Sequence, residues 1–285
     1  MKLFRLLILS LFILAANAVH SQNYFLQNIK PSLDLNIGGG VSSYFGDLVQ
    51  KNPYFREPSA SFSAGIAYNL NPNLSFRGDF SYMQIQAHDS KNSRPDLIAR
   101  NLSFKSNLWD VNALAEYNFL DMTGNNKFSP YVFAGIGFCH FNPYTIDRNG
   151  NKVFLQPLGT EGQGLPAYPN RKLYSKTVID FPLGGGIKFA VSENVTLGLE
   201  FFYRFANTDY LDDVSNFGYP DKAALAAKNP ALPQLTYRGD ELPGGAPYPN
   251  PSLNRGNPNN KDSYYTGQIK IIYRLKNYNR VEVNY

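Results

Sequence analysis

The sequence has few of the residues that most often build disulfides, metal centres and cofactor sites. Its 285 residues include one cysteine, Cys139, one tryptophan and three histidines. A single cysteine excludes an internal disulfide, although an exported chain would be allowed one. From this inventory we expect no metal site and no cofactor.

Charged residues are also scarce, at 17% of the chain against roughly 25% in soluble domains. The formal net charge is +5, but the basic residues are scattered, so nucleic acid is not an expected partner. Aromatic residues are abundant instead, with 21 Phe and 20 Tyr. With 43% hydrophobic residues, the composition excludes a disordered class and suits a protein anchored at two lipid–water interfaces.

Long apolar runs are absent beyond the N-terminus, so no segment reaches the about 18 apolar residues of a transmembrane helix. The N-terminus has the pattern of a secretory signal peptide, with basic residues, an apolar stretch at 6–16 and small residues around Ala18. Cleavage after Ala18 and cleavage after Ser21 both fit. We assign 1–21 to the signal peptide and 22–285 to one domain, and no cysteine nearby indicates a lipoprotein anchor.

The rest of the chain is dominated by segments in which apolar and polar residues alternate. In 195–205 every second residue is apolar, while Thr196, Gly198 and Glu200 lie between them. A period of two is that of a β-strand with one apolar and one polar face. We predict eight strands, at about 33–41, 59–70, 74–85, 109–119, 128–141, 176–190, 195–205 and 265–275.

The connections between these strands alternate strictly between long and short. The longest, 207–262, contains eight prolines and one brief helical possibility at 221–228. Outer-membrane barrels have short periplasmic turns and longer outside loops, whereas a soluble sandwich has no reason to place all its long loops at one end. We therefore predict an all-β fold, an eight-stranded antiparallel transmembrane β-barrel in the cell outer membrane, surrounded by outer-membrane lipid.

In such a barrel the apolar faces contact lipid and the polar faces line the lumen. The predicted inward faces carry five basic and six acidic residues: Asp34, Arg77, Asp79, Asp110, Glu116, Asp180, Lys188, Glu200, Arg204, Lys270 and Arg274. A lumen this narrow is filled by side chains, and unpaired charges there would cost several kcal/mol each. We expect these charges to pair and to leave little room for solute. The orientation of 128–141 stays open, because aromatic residues occur on both of its faces.

Four features have residue types that can carry chemistry, and each also has a plainer interpretation. His88 lies in a polar loop and His140 at the end of a strand, and a lipid-modifying enzyme would need a histidine to meet a serine and an acid. Carboxylates at 209–213 could bind calcium, but they lack a known loop spacing and suit a structural turn. The glycine-rich stretch 157–164 lacks the lysine of a phosphate loop and suits a surface or lumen-plugging loop. We therefore expect no enzyme.

Four segments together resemble the PorG-like outer-membrane barrels of the type IX secretion and gliding apparatus. They are 44–48 (Tyr-Phe-Gly-Asp-Leu), 128–137, 157–164 and 208–215. The resemblance implies a small closed barrel that takes part in a secretion complex and contacts periplasmic ring components such as the PorK lipoprotein. It brings no catalytic residues with it, and the loop 216–261 matches nothing in that family.

Two other functions stay open at this point. The barrel could bind surface ligands or glycans through its long loops, or it could modify lipid through His88 or His140. The tail 277–285 fits either a periplasmic extension or the end of a last strand, because Val281, Val283 and Tyr285 alternate.

Overall fold

A computed structural model describes residues 31–49, 57–122, 126–216, 218–245 and 247–275. The predicted signal peptide and the tail 277–285 lie outside the described residues. The described ranges contain ten strands: β1 (Ser32–Phe45), β2 (Ser59–Asn69), β3 (Leu74–His88), β4 (Ser103–Asn118), β5 (Phe128–His140), β6 (Tyr144–Ile146), β7 (Lys152–Phe154), β8 (Thr177–Ala190), β9 (Val195–Ala206) and β10 (Ser263–Arg274).

Eight of these strands form a closed antiparallel barrel. Their order around the sheet is β3, β2, β1, β10, β9, β8, β5 and β4, and β4 pairs back with β3 from Leu74↔Tyr117 to His88↔Ser103. Each barrel strand therefore has a partner on both sides, which satisfies its backbone polar groups and removes the edges that lipid cannot tolerate. The predicted eight-stranded outer-membrane fold is confirmed.

The loops contain more regular structure than the sequence predicts. The short strands β6 and β7 form a hairpin inside the predicted loop 142–173, and β6 is attached to β4 through Lys105↔Tyr144. Within the described parts of the loops there are three short α-helices: α1 (Pro95–Arg100), α2 (Lys222–Lys228) and α3 (Leu232–Thr236). Of these, α2 matches the predicted helical possibility. No helix in the described ranges is long and apolar enough to cross a membrane.

The two faces of the barrel are sorted as lipid requires. On β9, Leu199 is 62% exposed on the outer surface, while its neighbour Glu200 is only 2% exposed inside. On β10, Ile269 points outward and Lys270 is buried in the lumen. Exposed aromatic residues border the apolar belt near both ends: Tyr68, Phe76, Tyr117, Phe119, Phe128, Phe189 and Tyr273 toward the short turns, and Trp109, Phe138, Phe181 and Phe205 toward the long loops.

The orientation of β5, which the sequence leaves open, depends on the strand beside it. Tyr131 and Phe133 point inward, opposite Gly186 and Gly184 of β8. A Cβ on Gly184 would lie 2.5 Å from the Phe133 ring. Only glycine leaves room for these rings, so the glycine run 184–186 determines which face of β5 lines the lumen.

Outside the lipid belt, β3 and β4 exchange the character of their faces. Met83, Ile85 and Ala87 point into the barrel end and are fully buried, whereas Gln84 and Gln86 between them face outward. The buried residues join one hydrophobic core at the long-loop end: Tyr44, Leu48, Met83, Ile85, Ala87, Leu102, Phe104, Leu108, Cys139, Phe141, Leu155, Ala206, Leu211, Val214 and Tyr264. This core explains why both strands extend beyond their predicted ends.

Leu199→Arg should reduce the free energy of unfolding in phospholipid vesicles by about 2–4 kcal/mol, because it places a charge in the middle of the lipid-facing surface. Urea titration followed by tryptophan fluorescence measures this change. Gln86→Arg is the matched control, since Gln86 also faces outward but lies beyond the belt. Equal losses in the two variants would contradict the placement of the belt.

Candidate functional site

The centre of the lumen is occupied by a network of ion pairs built around Arg77 of β3. Its Nη1 donates to Glu116 Oε2 at 2.7 Å and to Glu200 Oε2 at 2.8 Å, and its Nε lies 2.8 Å from Asp79 Oδ2. Lys270 Nζ lies 3.2 Å from Asp79 Oδ2 and 3.1 Å from Glu200 Oε1. One guanidinium thus connects carboxylates from three strands.

Lys188 of β8 completes this network by donating to Glu116 Oε1 and, at 3.0 Å, to Asn118 Oδ1. The central set therefore contains three cations and three carboxylates, and its charges balance. Buried charges are tolerated when they are paired and their remaining hydrogen-bonding capacity is used.

Aromatic side chains that the sequence did not assign to the lumen complete the centre. The Tyr131 hydroxyl donates to Glu200 Oε2 at 2.8 Å, and the Arg77 guanidinium lies 4.6 Å from the centre of the Phe133 ring. Phe133 in turn contacts Phe202 edge-on at 4.8 Å. The sequence signal that could have assigned these side chains to the lumen is the glycine run 184–186 on β8, because glycines leave space for large side chains on the neighbouring strand.

The remaining predicted lumen charges lie toward the two ends of the barrel. Toward the long loops, Arg204 forms an ion pair with Asp110, and the Tyr264 hydroxyl donates to Asp180 at 2.5 Å. Toward the short turns, Arg274 Nε donates to Asp34 Oδ1 at 3.1 Å. The structure thus brings the eleven predicted charges together in three groups along the lumen.

Neutral polar side chains fill the spaces between these groups. Gln268, for example, bonds to both Ser63 and Ser61 across the lumen. Eight of the eleven predicted charges are at most 5% exposed: Arg77, Asp79, Asp110, Glu116, Asp180, Glu200, Arg204 and Lys270. Filling of this kind closes the lumen to solutes over its central and upper parts.

Among the described residues the lumen opens at the short-turn end, which is periplasmic by the rule that relates loop length to topology. A cavity of about 630 Å³ lies there, within the range of small-ligand pockets. Its lining is polar and carries both charge signs: Ser32, Asp34, Asn69, Asn71, Pro72, Asn118, Leu120, Met122, Asn126, Lys127, Lys188, Ala190, Val191, Ser192, Glu193, Thr196, Ile272 and Arg274.

At the opposite end the long loops fold into a cap over the barrel. We use the name cap for the described residues of 46–49, 89–102, 141–176 and 207–262. Arg100 Nε and Nη2 donate to the two oxygens of Asp89 at 2.7 and 2.8 Å, and Arg255 Nη1 donates to Glu161 at 2.7 Å. Arg100 also donates to the Arg255 carbonyl, so the two arginines connect three loops.

The glycine-rich stretch 157–164 lies inside this cap, above the lumen. Its Glu161 accepts hydrogen bonds from the amides of Ser215 at 2.9 Å and Asn216 at 3.1 Å, in addition to the bond from Arg255. Its carboxylate therefore fixes the start of the loop after β9, and the stretch serves as a structural element of the cap.

The carboxylates at 209–213 are also buried in the cap. Asp213 accepts from the Tyr174 hydroxyl at 2.7 Å and from Thr160, and burial raises the pKa of Asp213 to about 7 even though Arg255 lowers it. Among the described residues, no group of three His, Cys, Asp or Glu side chains is arranged to hold a metal ion.

The two candidate histidines, His88 and His140, lie in separate places and contact different partners. His88 Nδ1 is 2.7 Å from Glu57 Oε1, and His140 Nδ1 is 2.9 Å from the Thr177 hydroxyl. In the described part of the chain, neither contact brings a histidine, a hydroxyl and an acid together as nucleophilic catalysis requires.

A comparison with protein families identifies the family of this chain. The family described as outer membrane protein beta-barrel domain matches residues 6–219. The chain belongs to this family. The predicted location of the barrel, the cell outer membrane, is thereby confirmed. No curated protein matches the chain.

Several solved outer-membrane structures are similar to this barrel at low sequence identity. Neisserial surface protein A is 12% identical, with a TM-score of 0.44 over 87% of this chain and 100% of that one. Ail of Yersinia pestis, solved with the heparin analogue sucrose octasulfate, is 12% identical, with a TM-score of 0.41 over 87% and 100%. OprG of Pseudomonas aeruginosa is 10% identical, with a TM-score of 0.39 over 86% and 96%. No function follows from similarity at this level.

Arg77→Met should lower the free energy of unfolding by about 3–5 kcal/mol, because it leaves three buried carboxylates facing only two cations. Arg274→Met is the matched control, since Arg274 is 39% exposed in its ion pair with Asp34 and an exposed pair is worth about 1 kcal/mol or less. Urea unfolding of both variants in vesicles measures the difference. Equal effects would show that the central network does not hold the lumen together.

Proposed function

We propose that this outer-membrane barrel is a non-enzymatic component of a type IX protein secretion complex and contacts a periplasmic ring subunit of the PorK-like lipoprotein type. The observation that carries the proposal is the filled lumen. Because the balanced network around Arg77 closes the barrel, its function must reside on its two ends and its lipid-facing wall rather than in a channel.

The resemblance of 44–48, 128–137, 157–164 and 208–215 to PorG-like barrels supplies the type of complex. Two of these segments, 157–164 and 208–215, contact each other in the cap, where the Ser215 amide donates to Glu161. The motifs that carry the resemblance therefore include two parts of one structural unit.

Features of the periplasmic end support a contact with a partner protein there. The polar cavity opens there, and Lys127 and Glu193 are exposed beside it. Both charge signs at one rim favour a specific orientation of a partner, since complementary charges set specificity and association rate.

A second candidate is a barrel that binds a surface ligand or glycan through the cap. One observation favours it: a groove of about 170 Å³ lies between the β6–β7 turn and α3, with Arg148, Arg238 and Glu241 among its lining residues. Arg148 is held there by Asp240 at 2.6 Å and Glu241 at 2.9 Å, so the groove has a defined shape.

The two candidates are separated by charge reversals at the two ends. Removal of 219–259 would be a poor test, because it would also remove the buried Arg255. Lys127→Glu combined with Glu193→Lys changes only the periplasmic rim and should reduce co-purification of the ring lipoprotein and export of type IX cargo several-fold. Quantitative immunoblots of detergent-solubilised complexes and of culture medium measure both.

The matched control is Lys222→Glu combined with Asp96→Lys, which reverses two exposed charges on the cap. Secretion and co-purification should be unchanged in this control. The proposal fails if the periplasmic reversal has no effect, and the second candidate gains support if Arg148→Glu in the groove abolishes binding of cells to a surface glycan array.

A further inference from the structure

The cap buries more acidic than basic side chains beneath its loops. We use the name acidic cluster for Asp47, Asp209, Asp212 and Asp262, which are electrostatic neighbours of one another; two of them, Asp212 and Asp262, contact the Tyr44 hydroxyl. The charged and titratable groups that face the cluster from the surrounding elements are Tyr44, Asp89, Arg100, Glu161, Tyr174, Tyr210, Asp213 and Arg255. Because Arg100 is bonded to Asp89 and Arg255 to Glu161, the acidic cluster retains an excess of negative charge when fully ionised.

The count of hydrogens at Tyr44 gives a reason for one member of the cluster to carry a proton. The Tyr44 hydroxyl lies 2.6 Å from Asp212 Oδ2 and 3.1 Å from Asp262 Oδ1. A phenol has one hydrogen to donate, so it satisfies one carboxylate only. The other contact becomes a hydrogen bond when that carboxyl is protonated and donates to the phenol oxygen.

Asp209 gives a second and independent indication. Its residue is 4% exposed. Among the described residues neither of its carboxylate oxygens meets a partner in full hydrogen-bond geometry, and the nearby Ser215 side chain offsets its burial only in part. An ionised carboxylate buried without a partner is so costly that the group becomes neutral instead. The surroundings of Asp209 therefore favour its protonated form.

We propose that protons hold the cap closed: Asp209 and the Asp212–Asp262 pair are protonated in the packed cap, and the loop after β9 loosens from the barrel end as they ionise. The device concerns the cap alone and does not depend on the proposed role in secretion. Its ligand is the proton, which neutralises the excess charge without a metal ion.

The pKa values of these groups agree in direction. Burial, followed by the charges of Asp212 and Asp47, raises the pKa of Asp209 to about 9. Burial and neighbouring acids also raise the pKa of Asp212 and of Asp262 well above the usual value. A released cap would lose these protons near pH 4, whereas the packed cap keeps them to higher pH. The packed form therefore binds more protons, and its stability falls as the pH rises from about 4 to about 9.

Hydrogen–deuterium exchange of the full chain in vesicles tests the proposal. After correction for the intrinsic rate, the amides of Leu211, Val214 and Ser215 should exchange about tenfold or more faster near pH 9 than near pH 5, because each donates to a cap carboxylate. Amides in the middle of β9 should show no such change, because the barrel is not involved.

Asp209→Asn should reduce this pH dependence, since it fixes one position of the cluster in a neutral form. Asp96→Asn, at an exposed position of α1, is the matched control and should leave the dependence unchanged. Infrared spectroscopy of the unmodified protein gives a readout that needs no variant: a band of protonated carboxyl groups should persist near pH 7 and weaken as the pH rises through about 9.

Two results would overturn the proposal. One is cap exchange that does not change between about pH 5 and about pH 9, with no protonated carboxyl band at neutral pH. The other is protection at neutral pH that is lost on addition of EDTA and restored by calcium, which would show that a cation rather than protons neutralises the cluster.

Discussion

In the hydrocarbon of a membrane, every backbone N–H and C=O must find its partner within the protein. Pairing of β3 with β4 meets this requirement by closing the sheet, and the distribution of side chains follows from that closure. A closed sheet of eight strands has one face toward lipid and one toward a narrow interior. Leu199 and Glu200 are adjacent in sequence, yet Leu199 faces lipid and Glu200 lies in the ion-pair network of the lumen.

The same pair of strands shows that this inversion depends on the surroundings and not on the strand itself. Within the belt, β3 places Arg77 and Asp79 inside. Above the belt, it places Met83 and Ile85 inside and turns Gln86 outward. Water surrounds the upper end, so an ordinary hydrophobic core becomes favourable there, and the long loops fold against it. The cap therefore has the packing of a soluble domain placed on top of a membrane barrel.

Buried charge is balanced in different ways in the lumen of the barrel and in the cap. In the lumen, three cations and three carboxylates balance around Arg77, so ionised groups neutralise each other. In the cap, the two buried arginines, Arg100 and Arg255, are bonded to Asp89 and Glu161, so the four acids of the acidic cluster outnumber the cations near them. Hydrogen bonds from Tyr44 and from backbone amides compensate in part, and this imbalance makes the cap the part of the molecule that responds to pH.

The sequence by itself determined the sorting of residues between two faces, the number of barrel strands and the inward position of Glu200 and Lys270, because alternation is a property of neighbouring residues. It did not determine the partners of those charges, since Arg77 and Glu200 are 123 residues apart and meet only through the register of the closed sheet. The orientation of β5 was decided by Gly184 and Gly186 on another strand, and the cap by contacts between loops distant in sequence. Alternation is local, whereas pairing and packing depend on which strands become neighbours in space.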